Sequence, residues 1–200
     1  MEPFTTHTGT AAPLRLDNVD TDQIMPARFA AGASRTAYAH AMLHDRRAEP
    51  DFVLNRPEHR DATILVAGDN FGCGSSREFA VWALQNYGFH AVIAPSFGAI
   101  FRDNSLKNGL LTVILPSTAI EELWQAVEAD PALAVTVDLT SREVRAGDRH
   151  HVFEFDDYQR WRLLNGFDDI TLTLRHLDAI EAYERTRRAT LPLVRRTAAS

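Results

Sequence analysis

The stretch Gly68-Asp69-Asn70-Phe71-Gly72-Cys73-Gly74-Ser75-Ser76-Arg77-Glu78 joins a predicted strand to a predicted helix. Before it, the apolar and partly β-branched run 62–67 has the length of a buried strand. After it, residues 77–87 contain neither glycine nor proline, which favours a helix, and Gly88 is predicted to end that helix. The glycines within 68–74 allow a tight turn and a close approach of a ligand. We therefore predict a strand, a turn and a helix N-terminus in succession.

The start of this predicted helix has the features of an anion site. Ser75 or Ser76 is predicted to cap the helix, and Glu78 would complete a capping box with Ser75. Free N–H groups and the helix dipole favour a bound anion there, and the guanidinium of Arg77 suits a carboxylate or phosphate. Phosphate-loop, dinucleotide and nucleophile-elbow patterns do not match. The residues alone leave open a capped helix that binds no ligand.

Composition restricts the class of protein. The chain has 200 residues, 45% hydrophobic and 24% charged, as in an ordinary globular domain, so we expect one domain over 1–200 with its core at about 4–187 and a flexible tail at 188–200. A net charge of −6 argues against nucleic acid as a partner. No apolar run approaches membrane-spanning length, the N-terminus lacks signal-peptide features, and a single cysteine excludes an internal disulfide. These features predict a cytoplasmic, soluble protein without membrane contact.

The order of the remaining predicted elements indicates an α/β fold. Strands at 91–94 and 110–115 alternate with helices, which predicts a mostly parallel central sheet flanked by helices. A helix is predicted at 117–129, with Ser117 as its cap. Further predicted elements are a strand at 14–16, a small antiparallel unit from short alternating strands at 133–138, 143–145 and 151–155, and C-terminal helices, one capped at 156–157 and one over 168–188.

Two other polar segments could contribute to a site. Three aspartates within 17–22 lack the glycine and the distal glutamate of a calcium loop, which leaves either a solvated turn or a pocket wall beside Ile24 and Met25. Arg28 could bind a carboxylate. His40 and His44 have helical spacing but no third ligand nearby, so we predict no metal site. The cluster 96–109, which holds the only lysine, Lys107, follows a strand at the sheet edge where α/β proteins bind ligands.

Taken together, the motifs Asn18–Ile24, 68–78 and Lys107-Asn108-Gly109 resemble those of the small subunits of 3-isopropylmalate dehydratase, a family of the aconitase superfamily. The resemblance extends from about residue 4 to residue 187. It implies a swivelling β/β/α domain that closes on a separate large subunit, which holds a [4Fe–4S] cluster. No cofactor is then expected on this chain, whose single cysteine cannot supply the cluster's thiolates. The implied reaction interconverts 2- and 3-isopropylmalate, a hydroxy dicarboxylate substrate, and only the complex is expected to be active.

The resemblance also implies roles for individual residues. Ser75, as an alkoxide, would take the proton from the carbon next to a carboxylate, and the partner's iron would take the leaving hydroxyl. Arg77 would clamp a substrate carboxylate, assisted by Ser76 and by turn amides such as that of Gly74. Further residues expected to organise the pocket or to contact the substrate are Asp22, Ile24, Met25 and Arg28, and the loop 24–35 is expected to read the substrate side chain.

Several alternatives remain open from the sequence. Phe79 stands where many family members have histidine, and homoaconitase and methylmalate-type dehydratases have similar small subunits. An unrelated enzyme would use Cys73 as a nucleophile activated by the helix N-terminus. A non-enzymatic reading treats the domain as an anion-binding or assembly module alone.

Overall fold

The computed structural model describes residues 1–30, 38–74 and 77–188. The chain divides into two compact units, Met1–Gly166 and Phe167–Ser200. No helix within the described ranges is both long and apolar enough to span a bilayer. The tail that we predict from residue 188 lies outside the described residues from 189 onward, and the single-domain boundary stays a prediction.

The first unit contains two four-stranded sheets. The strands are β1 Thr6–Gly9, β2 Ala11–Leu14, β3 Ile64–Ala67, β4 Ala91–Ala94, β5 Leu111–Ile114, β6 Val135–Asp138, β7 Glu143–Ala146 and β8 Arg149–Val152. One sheet has the order β2-β3-β4-β5, with every neighbouring pair parallel. The other has the order β1-β6-β7-β8 and is antiparallel. The predicted α/β class, with a parallel central sheet and a small antiparallel unit, is confirmed.

Helices connect and cover these strands. They are α1 Thr21–Ile24, α2 His44–Arg47, α3 Glu78–Tyr87, α4 Ala99–Asn108, α5 Ser117–Ala129, α6 Asp157–Asn165, α7 Asp169–Leu174 and α8 Leu177–Thr186, with single 3-10 turns at Ala27–Phe29, Ala39–Ala41, Val53–Asn55 and Pro57–His59. α3 ends at Gly88 as predicted. The φ of Gly88 is +123°, and its N–H bonds to the carbonyls of Leu84 and Gln85.

The parallel sheet is buried on both faces. Leu65 and Val92 belong to one hydrophobic cluster, together with residues of α3 such as Leu84. Ile64 and Ile93, one position away on the same strands, belong to a second cluster with α5 and the antiparallel sheet. Because both faces are covered, these strands are continuous apolar runs rather than alternating ones. The layers are therefore helix, parallel sheet, then α5 with the antiparallel sheet.

β2 is an edge strand that ends earlier than the predicted strand at 14–16. It covers Ala11–Leu14 and pairs with β3 alone, so Pro13 removes no hydrogen bond from the sheet interior. The chain turns directly afterwards, where the N–H of Leu16 bonds to the carbonyl of Leu14 at 2.8 Å.

The antiparallel sheet differs from the sequence prediction mainly at β1 and at the start of β8. In addition, β6 begins at Val135 rather than at residue 133, and β8 ends at Val152 rather than at residue 155. β1 was missed, because its polar sequence Thr6–Gly9 has no apolar alternation and forms a strand only by pairing with β6. β8 begins at Arg149 rather than at residue 151. Arg149 lies opposite Ala146 across the two-residue turn Gly147-Asp148, with Gly147 at φ +61°, so the strand starts as soon as that turn ends.

Two helix predictions are corrected at their ends. Ser117 is the first residue of α5 and not its cap, because Pro116 holds the N-cap position without a side-chain hydrogen bond. The single helix predicted over 168–188 is two helices. α7 ends where the N–H of Arg175 bonds to the carbonyls of Thr171 and Leu172. His176, at ψ +26°, is the N-cap of α8, which begins at Leu177.

The predicted aspartate cap of α6 is confirmed, and the structure shows a second one on α7. Asp156 accepts a hydrogen bond from the N–H of Gln159 and caps α6. Asp168 does the same for Thr171 at the start of α7, and this hydrogen bond lowers the pKa of Asp168 to about 2.

We expect the stability of the fold to decrease below neutral pH partly through His7. Its ring stacks on His90 at 4.4 Å, and burial, followed by repulsion from His90, lowers the pKa of His7. Between that lowered pKa and the unfolded value of about 6.5, the unfolded chain binds more protons, so the free energy of unfolding falls as the pH falls. In urea titrations from pH 7 to pH 5, His7→Phe should show a shallower fall than the wild type, and equal slopes would contradict this assignment.

Candidate active site

The segment that follows β2 and the glycine-rich segment that follows β3 are joined by backbone hydrogen bonds. The N–H of Gly72 bonds to the carbonyl of Val19 at 2.7 Å, and that of Thr21 to the carbonyl of Cys73 at 3.0 Å. Closer to the strands, the carboxylate of Asp17 accepts a hydrogen bond from the N–H of Asp69 at 2.7 Å. The first two predicted motifs therefore lie side by side at the carboxyl edge of the parallel sheet.

The segment that follows β4 binds the glycine-rich turn 68–74 from its other side. The N–H of Phe71 bonds to the carbonyl of Ser96, and the N–H of Gly98 bonds to the carbonyl of Phe71. The hydroxyl of Ser96 accepts from the N–H of Asn70 at 2.9 Å and donates to Asp69 at 2.6 Å. Sequence reasoning placed the start of the 96–109 cluster at this edge, but it missed Ser96 as the residue that holds the turn.

Glycine is needed where these segments cross. Gly72 has φ +71°, and a Cβ there would lie 2.2 Å from the ring of Phe101. Gly98 passes so close to the turn that a Cβ would lie 2.3 Å from the carbonyl oxygen of Gly72. No side chain beyond hydrogen fits at either position without moving its neighbours.

Arg77 occupies the N-cap position of α3, so the predicted serine cap and capping box are wrong. The cap has no side-chain hydrogen bond, and α3 begins at Glu78. The side chain of Glu78 accepts instead from Asn108 at 2.7 Å. Arg77 forms an ion pair with Asp22, and its side chain is 31% exposed. A guanidinium and a helix N-terminus thus meet at one point, where both favour an anion.

Ser75 and Ser76 lie outside the described residues, between two positions that the structure does describe. Gly74 on one side is exposed, has φ +91°, and lies near Asp20. Arg77 follows on the other side. The chain on either side of the two serines is therefore fixed at the carboxyl edge.

Arg28 lies in a surface cleft that also includes Asp22. The cleft has a volume of about 440 Å³ and is lined by Asp20, Asp22, Gln23, Pro26, Ala27, Arg28, Asp45 and Arg46. Arg28 is paired with Asp45, and this contact, followed by that of His44, lowers the pKa of the Asp45 carboxyl. The guanidinium of Arg28 also lies 4.7 Å from the ring of Phe29. Sequence reasoning missed Asp45, because it lies 17 positions from Arg28 and no local pattern links the two.

Ile24 and Met25 are not at the surface of this cleft. Their side chains are 0% and 1% exposed and belong to the main hydrophobic cluster. The four-residue helix α1, capped by Asp20 through the N–H of Gln23, directs Ile24 inward. The expectation that these two side chains contact substrate has no support in this arrangement, and residues 31–35 of the predicted loop lie outside the described residues.

Phe79, at the family's histidine position, packs among aromatic side chains. Its ring lies 5.7 Å from that of Tyr38 and 5.3 Å from that of Trp82, edge to face in both cases. The side chain is half-buried and belongs to the fringe of the core. In this protein, Phe79 therefore contributes to the packing of aromatic side chains.

The motif Lys107-Asn108-Gly109 supports α3 rather than the turn. It ends α4 and leads into β5, so it belongs to the amino end of the parallel strands. Asn108 donates to Glu78 and accepts from the indole N–H of Trp82 at 3.0 Å. Lys107 pairs with Asp103 at 2.7 Å. The third motif acts on the first two through the position of α3.

The described residues offer no ligand set for a metal. They contain no group of three histidine, cysteine, aspartate or glutamate side chains that could bind one ion. All eight histidines lie in the described ranges, and none forms a hydrogen bond with Cys73. The base that a nucleophilic Cys73 needs is therefore not beside it.

Family models and individual relatives together match nearly the whole chain. Residues 1–118 match the family model of the aconitase C-terminal domain, residues 121–157 match one described as LeuD_N, and residues 169–194 match that of the C-terminal domain of the 3-isopropylmalate dehydratase small subunit. A 3-isopropylmalate dehydratase small subunit of Thermobifida fusca is 61% identical over 193 residues, 96% of this chain and 99% of the relative. One from Acidothermus cellulolyticus is 60% identical over 195 residues, covering 98% and 99%.

A solved structure has the same fold. The crystal structure of 3-isopropylmalate dehydratase (LeuD) from Methanocaldococcus jannaschii matches with a TM-score of 0.67 at 27% sequence identity. The match covers 88% of this chain and 99% of the other.

We expect Ser96→Ala to destabilise the turn. The substitution removes the acceptor of the Asn70 N–H and the donor to Asp69. Loss of such a pair should lower the free energy of unfolding by about 1–3 kcal/mol, measured by urea denaturation. Ser117→Ala is the matched control, because Ser117 is exposed and makes no cap hydrogen bond, and it should change stability by less than about 0.5 kcal/mol. Equal effects of the two substitutions would show that Ser96 does not hold the turn.

Proposed function

This chain belongs to the family of 3-isopropylmalate dehydratase small subunits, and from that premise we propose that it supplies the base and the carboxylate clamp of a hydro-lyase completed by a large subunit. The reaction interconverts 2- and 3-isopropylmalate in leucine biosynthesis by dehydration and rehydration. Relatives 54–61% identical over nearly their whole length are named for this substrate, which favours it over homoaconitate and methylmalate.

The observation that carries the proposal is the meeting of Arg77 and Asp22. They come from different motifs, 55 positions apart, and form an ion pair at the carboxyl edge of the sheet. In α/β sheets this edge is where ligands bind. The pair supports a role for Arg77 as the carboxylate clamp and for Asp22 as the residue that orients its guanidinium.

Ser75 is proposed as the base. It immediately precedes the Ser76-Arg77 pair, after the exposed Gly74. Its oxygen, as an alkoxide, would take the proton from the carbon next to a substrate carboxylate and become a hydroxyl. The hydroxyl on the neighbouring carbon would leave toward the large subunit, whose cluster would supply the Lewis acid that accepts it. An alkoxide needs strong stabilisation, which the N–H groups of a helix N-terminus and a guanidinium can supply. Ser76 and the amide of Gly74 would assist in binding the same carboxylate.

The iron–sulfur cluster expected in this family does not fit the donor set of this chain. One cysteine is present, and the described residues hold no metal-binding group of three. We therefore assign the [4Fe–4S] cluster to the large subunit, and place on this chain only proton transfer and carboxylate binding.

Arg28 is proposed as a second contact for an acidic substrate. It lines the same cleft as Asp22, and Asp45 now occupies its guanidinium. A substrate carboxylate would replace Asp45 there. Ile24 and Met25, being buried, would act on the cleft only through the position of α1.

Replacing the proposed base should stop turnover without loss of assembly. In the anaerobically reconstituted complex with the large subunit, we expect Ser75→Ala to lower kcat about 10²–10⁴-fold, the usual contribution of a general base. Ser117→Ala, exposed on α5, should keep full activity. Unchanged turnover of Ser75→Ala would favour the assembly module. If Cys73→Ser abolishes turnover, the nucleophile hypothesis is favoured instead.

Replacing the clamp should act mainly on substrate binding. Arg77→Lys keeps the charge and loses the planar pair of donors, so we expect KM to rise about 10–100-fold, with a smaller change in kcat. Asp22→Asn should change KM in the same direction, since it removes the partner that orients Arg77. Arg145→Lys, on the antiparallel sheet, is the control. A fall in kcat alone would assign Arg77 to the transition state rather than to ground-state binding.

A further inference from the structure

Several large apolar side chains of the C-terminal helical unit are exposed in the part of that unit that the structure describes. Neither α7 nor α8 contains a buried residue. Ile170 is 72% exposed, Leu174 55%, Leu177 47% and Tyr183 60%. These four are among the most exposed large hydrophobic residues of the described chain, and they all fall within fourteen positions.

The apolar residues of α8 form one side of the helix. Leu177, Ile180 and Tyr183 recur at intervals of three, which places them along a single stripe. The other side is charged, with Glu181 paired to Arg185 at 3.8 Å. In α7, Ile170 and Leu174 have a spacing of four and likewise share a side. α8 is therefore amphipathic, whereas α7 carries Ile170 and Leu174 on one side and half-buried Leu172 on the other.

Helices of this length need a covering surface. α7 has 6 residues and α8 has 10, and isolated helices shorter than about 12–15 residues are marginal in water. Their stability normally comes from packing the apolar side against another surface. A cluster of exposed apolar residues with a polar border is typical of a binding site for a protein.

The family matches indicate which surface covers these helices. The aconitase C-terminal domain matches residues 1–118, whereas the helices lie in the separate match to the C-terminal domain of the small subunit, residues 169–194. The apolar stripes thus belong to a segment that is defined by small subunits. A small subunit works with a chain to which no peptide bond attaches it, so non-covalent contacts must hold the two together.

We propose that the apolar side of α7 and α8 docks on the large subunit. Ile170, Leu174, Leu177 and Tyr183 would enter an apolar groove of that subunit, while the charged side of α8 stays in water. The docking residues are different from Ser75, Arg77 and Arg28, which we propose to act on the substrate. This inference rests on the proposed function, since it takes the large subunit as the partner.

The test measures the affinity of the full-length chain for the large subunit from the same source. Leu177→Glu and Tyr183→Glu place a charge on the apolar side and keep a helix-favouring residue, so the Kd for the large subunit should rise tenfold or more. Arg185→Glu introduces the same side chain on the charged side and should leave the Kd within about twofold. At saturating large subunit, the two apolar-side variants should recover wild-type kcat.

Three outcomes would overturn the docking proposal. An unchanged Kd for both apolar-side variants would show that the large subunit does not contact this side. A lower free energy of unfolding of isolated Leu177→Glu would show that the side is covered within the chain. If the wild-type chain forms a homodimer that Leu177→Glu dissociates, the apolar side would instead bind a second copy of this chain. Ser75→Ala separates this from the proposed function, because it should lose turnover with an unchanged Kd.

Discussion

Backbone hydrogen bonds between the segments that follow β2 and β3 hold the candidate site together. The N–H of Gly72 and the carbonyl of Val19 continue the parallel pairing of the two strands beyond the sheet, and Thr21 and Cys73 extend it by one more bond. On its other side the turn packs against Phe101 of α4, where the absence of a side chain at Gly72 leaves room for the ring. A larger residue at 72 would clash with Phe101 of α4 and would shift the turn that leads to Arg77.

The electrostatics of the site follow from this geometry. A guanidinium at a helix N-terminus is unfavourable, because the dipole there is already positive. Asp22 offsets this charge in the absence of substrate, and a substrate carboxylate can do the same. Arg28 is in a similar position, with Asp45 as its partner in the cleft. The site thus holds two guanidinium groups, each paired with an aspartate, and we propose that each binds one carboxylate of the substrate.

The two units of the chain have different physical characters. The first buries a core on both sides of a parallel sheet, whereas the described helices of the second contain no fully buried residue. An enzyme whose domains are separate chains needs one surface for chemistry and another for cohesion. The carboxyl edge around Arg77 suits the first task and the stripe from Ile170 to Tyr183 suits the second.

The sequence by itself determined the elements whose signals are local. The apolar runs of β3, β4 and β5, the glycine that ends α3 and the aspartate cap of α6 all act within a few residues. The motifs also sufficed to name the family. Only the tertiary structure decided that β1 is a strand, since its polar residues gain order from pairing with β6, more than a hundred positions away. It likewise decided that Ile24 and Met25 point into the core, because a four-residue helix sets their direction. Contacts between distant segments, such as Arg77 with Asp22 and Ser96 with Asn70, leave no mark in local sequence, because the partners meet only once the sheet has formed.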